Sequence, residues 1–307
     1  MNVVKAKDFE AFSHFFKGEK GHRRAEFIMR LLSIDQVNRL HKDYGSFTGP
    51  AFTSRILDDI GVKYVIGNAE RLGSLPEGSF ITVSNHPYGH LDGIISIDLL
   101  GSLRPDYRFM VNTILSNIRA LRGSFISVTP TGNKKTAVTA ASISGIRETL
   151  AHVKKGHPIG FFPSGAVSDF SLKDMRVRDR KWQSSILQMI YRLKVPILPL
   201  CFFDKNSPIF YFLGLVNWRV RLLRLPSEVF NKKGRELRLG VGKIIPVKEQ
   251  ERFNNAEELG VFLRKAVYEM PLPGTFLQGK EVAEAHQKKK AIKSRHNINK
   301  NEITQAR

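Results

Sequence analysis

With one cysteine, Cys201, in 307 residues, the chain can form no disulfide of its own, and a reducing compartment suits it. Cys201 sits in the apolar run Ile197 to Phe203, where a small buried hydrophobe is expected rather than a reactive thiol. Long apolar runs are missing too. The longest stretch without a charged residue, Gly78 to Leu91, has 14 residues and is interrupted by Ser, Asn, His and Pro. A spanning helix needs about 20 apolar residues, so any membrane contact is expected to be peripheral. The opening MNVVKAKDFEAF has no continuous apolar segment and carries acids early, which argues against a cleaved secretory signal and for a protein that stays inside. Acids are scarce: 28 Asp and Glu face 49 Lys and Arg, for a formal charge of +21. That excess favours an anionic partner, whether nucleic acid, anionic lipid or an acidic carrier protein, and does not choose among them.

What the chain does contain is 42% hydrophobic residues, enough for the core of one enzyme-sized unit. Residues 1–60 read as a helical N-terminal preface. Phe9, Phe12, Phe15 and Phe16, then Phe27, Ile28, Leu31 and Leu32, recur at three- and four-residue spacing among charges. Such an amphipathic face either caps the core or lies on a membrane. From Val62 the texture changes to short apolar runs (VKYVIG, SFITVSN, YRFMVN, SFISV, PIGFFPS, VPILPLCFF, RELRLGVGKIIPV) alternating with longer segments of helical period, among them 134–155 and 181–193. The alternation predicts an α/β domain over 61–275, a mostly parallel central sheet flanked by helices. Residues 276–307 read as a basic C-terminal tail: between His286 and Lys300 there are six Lys and Arg and no acid, and loose order is expected there.

The segment Val83 to Gly93 follows a predicted strand and precedes a helix expected to begin near Asp92, and α/β proteins place active groups at such strand ends. Activating a hydroxyl, as acyl transfer to an alcohol requires, needs a base of near-neutral pKa and a carboxylate that orients it and steadies the transient imidazolium. His86 and Asp92 can supply both, because Pro87 and Gly89 make a turn that can fold one toward the other. A purely structural His-Pro turn with an Asp cap is the other reading. Metal ligation by His86, His90 and Asp92 is disfavoured, since Pro87 and Gly89 spoil the helix on which a His-x-x-x-His spacing works. No metal is expected. A second segment, Ile159 to Ser168, also ends a strand in small residues, a turn that lets backbone N–H groups approach a ligand oxygen. Ser164 lacks the flanking glycines of a nucleophile elbow, with Phe162 and Ala166 in those places, so it reads as a binding or turn residue. Further on, Ile209 to Val216 is apolar and Trp218, Arg219, Arg221 and Arg224 follow, which suits an anionic bilayer interface or equally a buried strand and helix with solvated arginines.

These blocks, in this order over about residues 60 to 250, resemble the glycerolipid (lysophospholipid) acyltransferase superfamily. Its His-x-x-x-x-Asp signature corresponds to His86 and Asp92 with one extra residue between them. Its second block resembles Gly123 to Val128, its third Phe162 to Ser168, and its fourth Val195 to Pro199. The resemblance implies a glycerol-3-phosphate acyltransferase-like fold, His86 as general base and Asp92 as its orienting carboxylate. It implies substrate binding by Asn85, Gly89, Gly123, Phe125, Pro163, Ser164, Gly165 and Ser168, with Gly165 and its neighbours shaping an acceptor or oxyanion site. No bound cofactor is implied; acyl carrier protein thioester or acyl-CoA is the co-substrate. Where the family's third block carries Glu and Arg, this chain has Ser164 and Val167, and the second-block Arg is Val128, losses that disfavour a phosphate-bearing acceptor. The wording is similar to the hemolysin-like branch, which includes O-acyltransferases of bacterial ornithine and glycine lipids. That similarity implies a 3-hydroxyacyl amino acid as lipid acceptor, while the basic tail, the Arg219 to Arg224 cluster and the lack of a spanning helix predict a peripheral place on the anionic cytoplasmic face of the inner membrane. The runner-up is a lysophosphatidic acid or lysophospholipid acyltransferase using Arg119, Arg122, Lys134 or Lys135 for phosphate. A basic nucleic-acid binder is the rival of another class. With no helix-turn-helix, finger or aromatic RNA-binding motif in the chain, no nucleic acid is expected.

Overall fold

Short runs rich in β-branched and aromatic residues, apolar on both faces, become strands of a sheet covered on both sides. The structure, a computed structural model, describes residues 17–113, 115, 118–128 and 140–288. In chain order the strands are β1 (Lys63–Gly67), β2 (Ile81–Ser84), β3 (Arg108–Asn112), β4 (Phe125–Val128), β5 (Ile159–Phe161), β6 (Asp169–Ser171), β7 (Arg176–Arg178), β8 (Ile197–Phe202), β9 (Glu236–Val241) and β10 (Phe276–Gln278). Eight of them form one sheet in the order β10-β1-β9-β8-β2-β5-β3-β4, and β6 with β7 makes a separate antiparallel hairpin. From β8 to β4 all neighbours are parallel, as are β1 and β9. Two joints, β8 with β9 and β1 with β10, are antiparallel. The mostly parallel sheet expected from the alternating runs is therefore present, with a reversal in the middle that alternation does not signal.

The helices are α1 (Gly18–Leu31), α2 (Ile34–Tyr44), α3 (Pro50–Asp59), α4 (His90–Leu103), α5 (Ala140–Lys154), α6 (Ser184–Leu193), α7 (Pro208–Val216), α8 (Trp218–Leu223), α9 (Leu225–Phe230), α10 (Val247–Gln250) and α11 (Ala256–Tyr268). On one side of the sheet, Phe52 and Ile56 of α3 and Ile95 and Leu99 of α4 pack with Ile66, Leu200 and Leu239. On the other, Leu187 and Ile190 of α6 and Leu259 and Leu263 of α11 cover Ile81, Val83, Ile159 and Ile197. Each such side chain contributes about 1.5–3 kcal/mol on burial, so β2, covered from both sides, is a rigid platform.

The structure refines the predicted boundaries. α3 is part of the core, whereas Phe27 and Leu31 of α1, two of the residues on which the amphipathic face was read, stay exposed. Phe9, Phe12, Phe15 and Phe16 lie outside the described residues, as do Lys134, Lys135 and residues 289–307 of the basic tail. The tail does not begin at 276: β10 pairs with β1 at the sheet edge, residues 279–288 are helical, and Lys280 Nζ bonds the Asp58 carboxylate at 2.6 Å. Backbone pairing, which composition does not register, orders this piece. Cys201 is buried, and burial, helped by Asp179, pushes its thiol up to about 12, so it is an inert hydrophobe as expected.

Candidate active site

The chain leaving the C-terminal end of β2 is fastened at once. Asn85 Nδ2 donates to the carbonyl of Phe202 and its Oδ1 accepts from the Phe202 N–H, both at 2.8 Å, which clamps the exit of β2 to the end of β8. Pro87 and Gly89, the latter at φ +81°, then reverse the chain into α4. Glycine is required at 89 twice over, since a Cβ there would also lie 2.8 Å from Leu225 Cδ2 and 3.1 Å from Val167 Cγ2. In the first turn of α4, Asp92 Oδ2 accepts the backbone N–H groups of Tyr88 and Gly89 at 2.9 Å each, a cap that fixes the carboxylate. The same oxygen lies 2.9 Å from His86 Nδ1, with the ring N–H angled off the line between them. Directing Nδ1 to a carboxylate leaves Nε2 as the nitrogen that can meet a substrate. The imidazole stacks on Phe162, centroids 3.8 Å apart and planes at 18°, which fixes its second degree of freedom. Asp92 is fully buried while the His86 side chain keeps 15% of its surface, the asymmetry expected of an orienting acid and a working base. Burial lifts the Asp92 carboxyl above its ordinary range, opposed by His86 and the two N–H groups. Burial, with His86 close by, pushes His90 down to about 4, so His90 is uncharged near neutrality.

The third block is tied to this pair by a residue that sequence reasoning missed. Asp179 Oδ1 accepts the His86 backbone N–H at 3.1 Å and the Ser168 hydroxyl at 2.6 Å, and Oδ2 accepts Trp182 Nε1–H at 3.2 Å. The Ser168 N–H in turn donates to the His86 carbonyl at 2.8 Å. One buried carboxylate thus holds both loops of the site together. Its only hint in the sequence is an acid isolated among Arg176, Arg178, Arg180 and Lys181. An acyltransferase family profile matches residues 22–272. The chain belongs to the acyltransferase family. Two lyso-glycine lipid O-acyltransferases are similar to it: that of Phocaeicola vulgatus is 24% identical over 80% of this chain and 86% of its own length. That of Bacteroides thetaiotaomicron is 22% identical over 80% and 88%. Among solved structures, the 1-acyl-sn-glycerophosphate acyltransferase PlsC of Thermotoga maritima aligns with 87% of this chain and 92% of its own, at 15% identity and a TM-score of 0.46.

In this acyltransferase several residues expected at the substrate are engaged within the protein. Asn85 and Ser168 have their polar groups bound as described, and the Ser164 hydroxyl donates to the Ala166 carbonyl at 2.8 Å inside its own turn. The Gly165 N–H donates to the Phe162 carbonyl at 2.9 Å, so it is not a free oxyanion donor; the residue serves the turn through φ +64° and lies so close to Gln183 that a Cβ would collide with its amide. Pro163 is buried and accepts the Gln183 N–H at 2.8 Å. Phe125, together with Arg122, Ser127 and Ser144, lines a cleft of about 320 Å³ beside β4, a wall that Gly123 does not reach. β4 is three strands from β2, roughly 14 Å at ordinary strand spacing, so this cleft adjoins rather than contains the pair.

Of the arginines after Trp218, Arg221 and Arg224 do not form the solvated cluster expected of them, and the side chain of Arg219 lies outside the described residues. Arg221 is buried, pairs with Asp169 and donates to the Ser168 carbonyl at 3.2 Å, while Arg224 pairs with the buried Glu228 at 3.2 Å. A charge brought into the interior needs partners, and Asp169 and Glu228 are present for that purpose. Among the described residues no three His, Cys, Asp or Glu side chains gather where they could hold a metal ion, and none of the helices is long and apolar enough to cross a membrane.

Proposed function

We propose that this acyltransferase esterifies the hydroxyl of a lyso-aminolipid, a 3-hydroxyacyl amino acid of the glycine-lipid type, drawing the acyl group from an acyl carrier protein thioester or acyl-CoA. It works as a peripheral protein on the anionic cytoplasmic face of the inner membrane. The observation that carries the reading is the His86–Asp92 pair at the end of β2, 2.9 Å apart with Nε2 left for substrate. His86 Nε2 removes the acceptor's hydroxyl proton as that oxygen attacks the thioester carbonyl carbon. The tetrahedral intermediate collapses by breaking the C–S bond, and the leaving thiolate takes the proton back from His86. Asp92 stabilises the imidazolium between the two steps.

The choice of acceptor draws on the two relatives named for lyso-glycine lipids. It draws also on Val167, which packs with Phe210 and Leu225 in an apolar cluster where phosphate-using relatives carry arginine. The guanidinium beside it, Arg221, is already paired with Asp169 and donates to the Ser168 carbonyl, so a buried phosphate dianion there would lack a free counter-charge. Membership of the acyltransferase family displaces the reading as a non-enzymatic nucleic-acid binder. Arg122, in the cleft beside β4, is the cation a lysophosphatidic acid would use, which makes that lipid the decisive competitor. Purified protein with membranes is supplied with acyl carrier thioester or acyl-CoA and equal amounts of 3-hydroxyacyl glycine, 3-hydroxyacyl ornithine and lysophosphatidic acid, products being read by mass spectrometry. Preferred acylation of the amino-acid lipids is expected; preference for lysophosphatidic acid would overturn the assignment.

A further inference from the structure

We propose that the outer face of α7 and α8, with the tip of the β6–β7 hairpin, is the surface by which this acyltransferase docks on an anionic phospholipid bilayer. The inference rests on the peripheral-membrane reading above and names the part of the molecule that would carry it. α7 has nine residues and no charge, and its inner face, Phe210 and Tyr211, is buried against Val167 and Leu225. Its outer face is as apolar as its inner one. Ile209, Phe212, Leu215 and Val216 are 49–72% exposed, and Trp218 and Leu223 of α8 are 52% and 53% exposed. Scattered exposed apolar residues are ordinary, but a contiguous apolar face of this kind on a soluble protein marks an interaction surface.

α7 packs on β6, whose hairpin carries Leu172 and Met175 at its tip, 66% and 69% exposed. Exposed Lys173 and Arg176 border that tip, and exposed Lys205 precedes α7, while the acid of the tip, Asp174, accepts a hydrogen bond from Ser171. Apolar side chains with a tryptophan, rimmed by cations, match the interface of an anionic bilayer, where rings sit at head-group depth and each nearby cation attracts the surface. α7 is only about 14 Å long at helical rise, so it lies in the interface rather than crossing.

The patch is bonded directly to the catalytic loops. Tyr211 Oη–H donates to the Pro87 carbonyl at 3.1 Å, Asn206 Nδ2 to the Tyr88 carbonyl at 3.2 Å, and Arg221 of α8 to the Ser168 carbonyl. Seating this face on lipid therefore brings the His86 loop alongside the bilayer, where the hydroxyl of a lyso-lipid resides.

The two tryptophans provide the test, because Trp182 is buried and bonded to Asp179 while Trp218 is half exposed. The full chain is titrated with phosphatidylcholine–phosphatidylglycerol vesicles bearing brominated acyl chains. Bromolipid quenching of the tryptophan emission is expected, and Trp218→Phe should abolish it. Phe212→Glu with Leu215→Glu should weaken vesicle affinity about tenfold or more, and should lower transfer to an acceptor embedded in vesicles. Transfer to a short-chain hydroxyacyl glycine in detergent should stay at the wild-type rate. Absence of quenching overturns the proposal, as does wild-type vesicle affinity in the double variant. So does a concentration-dependent dimer, seen by light scattering, that shields Trp218 without lipid. Quenching and vesicle binding without any transfer to the short-chain acceptor would leave the docking surface standing and remove the proposed reaction instead.

Discussion

Replacing Asp179 by asparagine tests whether one buried carboxylate holds the site together. Its two oxygens each accept an N–H, Oδ1 from the His86 backbone and Oδ2 from the Trp182 indole. An asparagine amide has one acceptor end and one donor end, so in either orientation its NH₂ faces one of those N–H groups. The Ser168 hydroxyl can rotate to follow either orientation, but the two N–H donors cannot. A buried donor left without an acceptor costs about 1–3 kcal/mol, and a hydrogen bond to a charged group is itself worth about 1.5–3 kcal/mol, so Asp179→Asn should destabilise by roughly 2–4 kcal/mol. Displacement of the His86 backbone by about 1 Å would also lower kcat on the order of 10²-fold. Trp182→Phe removes one of the two donors. In that background Asp179→Asn can keep its carbonyl toward His86, and the double-mutant cycle should give a coupling of about 1 kcal/mol or more. Urea unfolding monitored by circular dichroism supplies the stabilities, and transfer to a hydroxyacyl acceptor supplies the rates. An Asp179→Asn protein with unchanged midpoint and turnover, or additive effects of the two substitutions, would refute the reasoning.

His86→Ala should reduce transfer by about 10² to 10⁴-fold with the unfolding midpoint little changed, and Asp92→Asn should be similarly severe. Near-wild-type turnover in either would remove the assigned base. Gly89→Ala should destabilise by about 1–3 kcal/mol, because its φ of +81° disfavours any side chain and the new methyl meets Leu225 and Val167. An unshifted melting temperature would contradict this. His90 gives a pH prediction: with a folded value near 4 against an ordinary 6.5, the unfolded chain binds a proton between those values that the folded chain does not. Stability is then full above about pH 6.5 and falls by up to about 3 kcal/mol as pH drops to about 4. His90→Gln should flatten that part of the stability profile, and an unchanged acid slope would show that other groups control it.

The sequence alone determined what depends on neighbours along the chain. Short apolar runs such as ITVS and ILPLCF, set between turn residues and helical segments, predict buried strands, and they are β2 and β8. Pro87, Gly89 and Asp92 lie within six residues, so a turn returning His86 to an N-terminal helix carboxylate was legible from turn chemistry alone. Tertiary structure decided everything that joins distant segments. The resemblance put Asn85 at the substrate, yet its partner is Phe202, 117 residues away, and Asp179 meets His86 across 93 residues. The antiparallel pairing of β8 with β9 left no mark on either strand, since hydrophobic alternation is blind to direction. Arg221 and Arg224 read as solvated cations because arginine is mostly exposed. Glu228, one turn along from the half-buried Arg224, is a local partner, but only the placement of Asp169 in space makes burying Arg221 tolerable, and that placement belongs to the fold and not to any local run of residues.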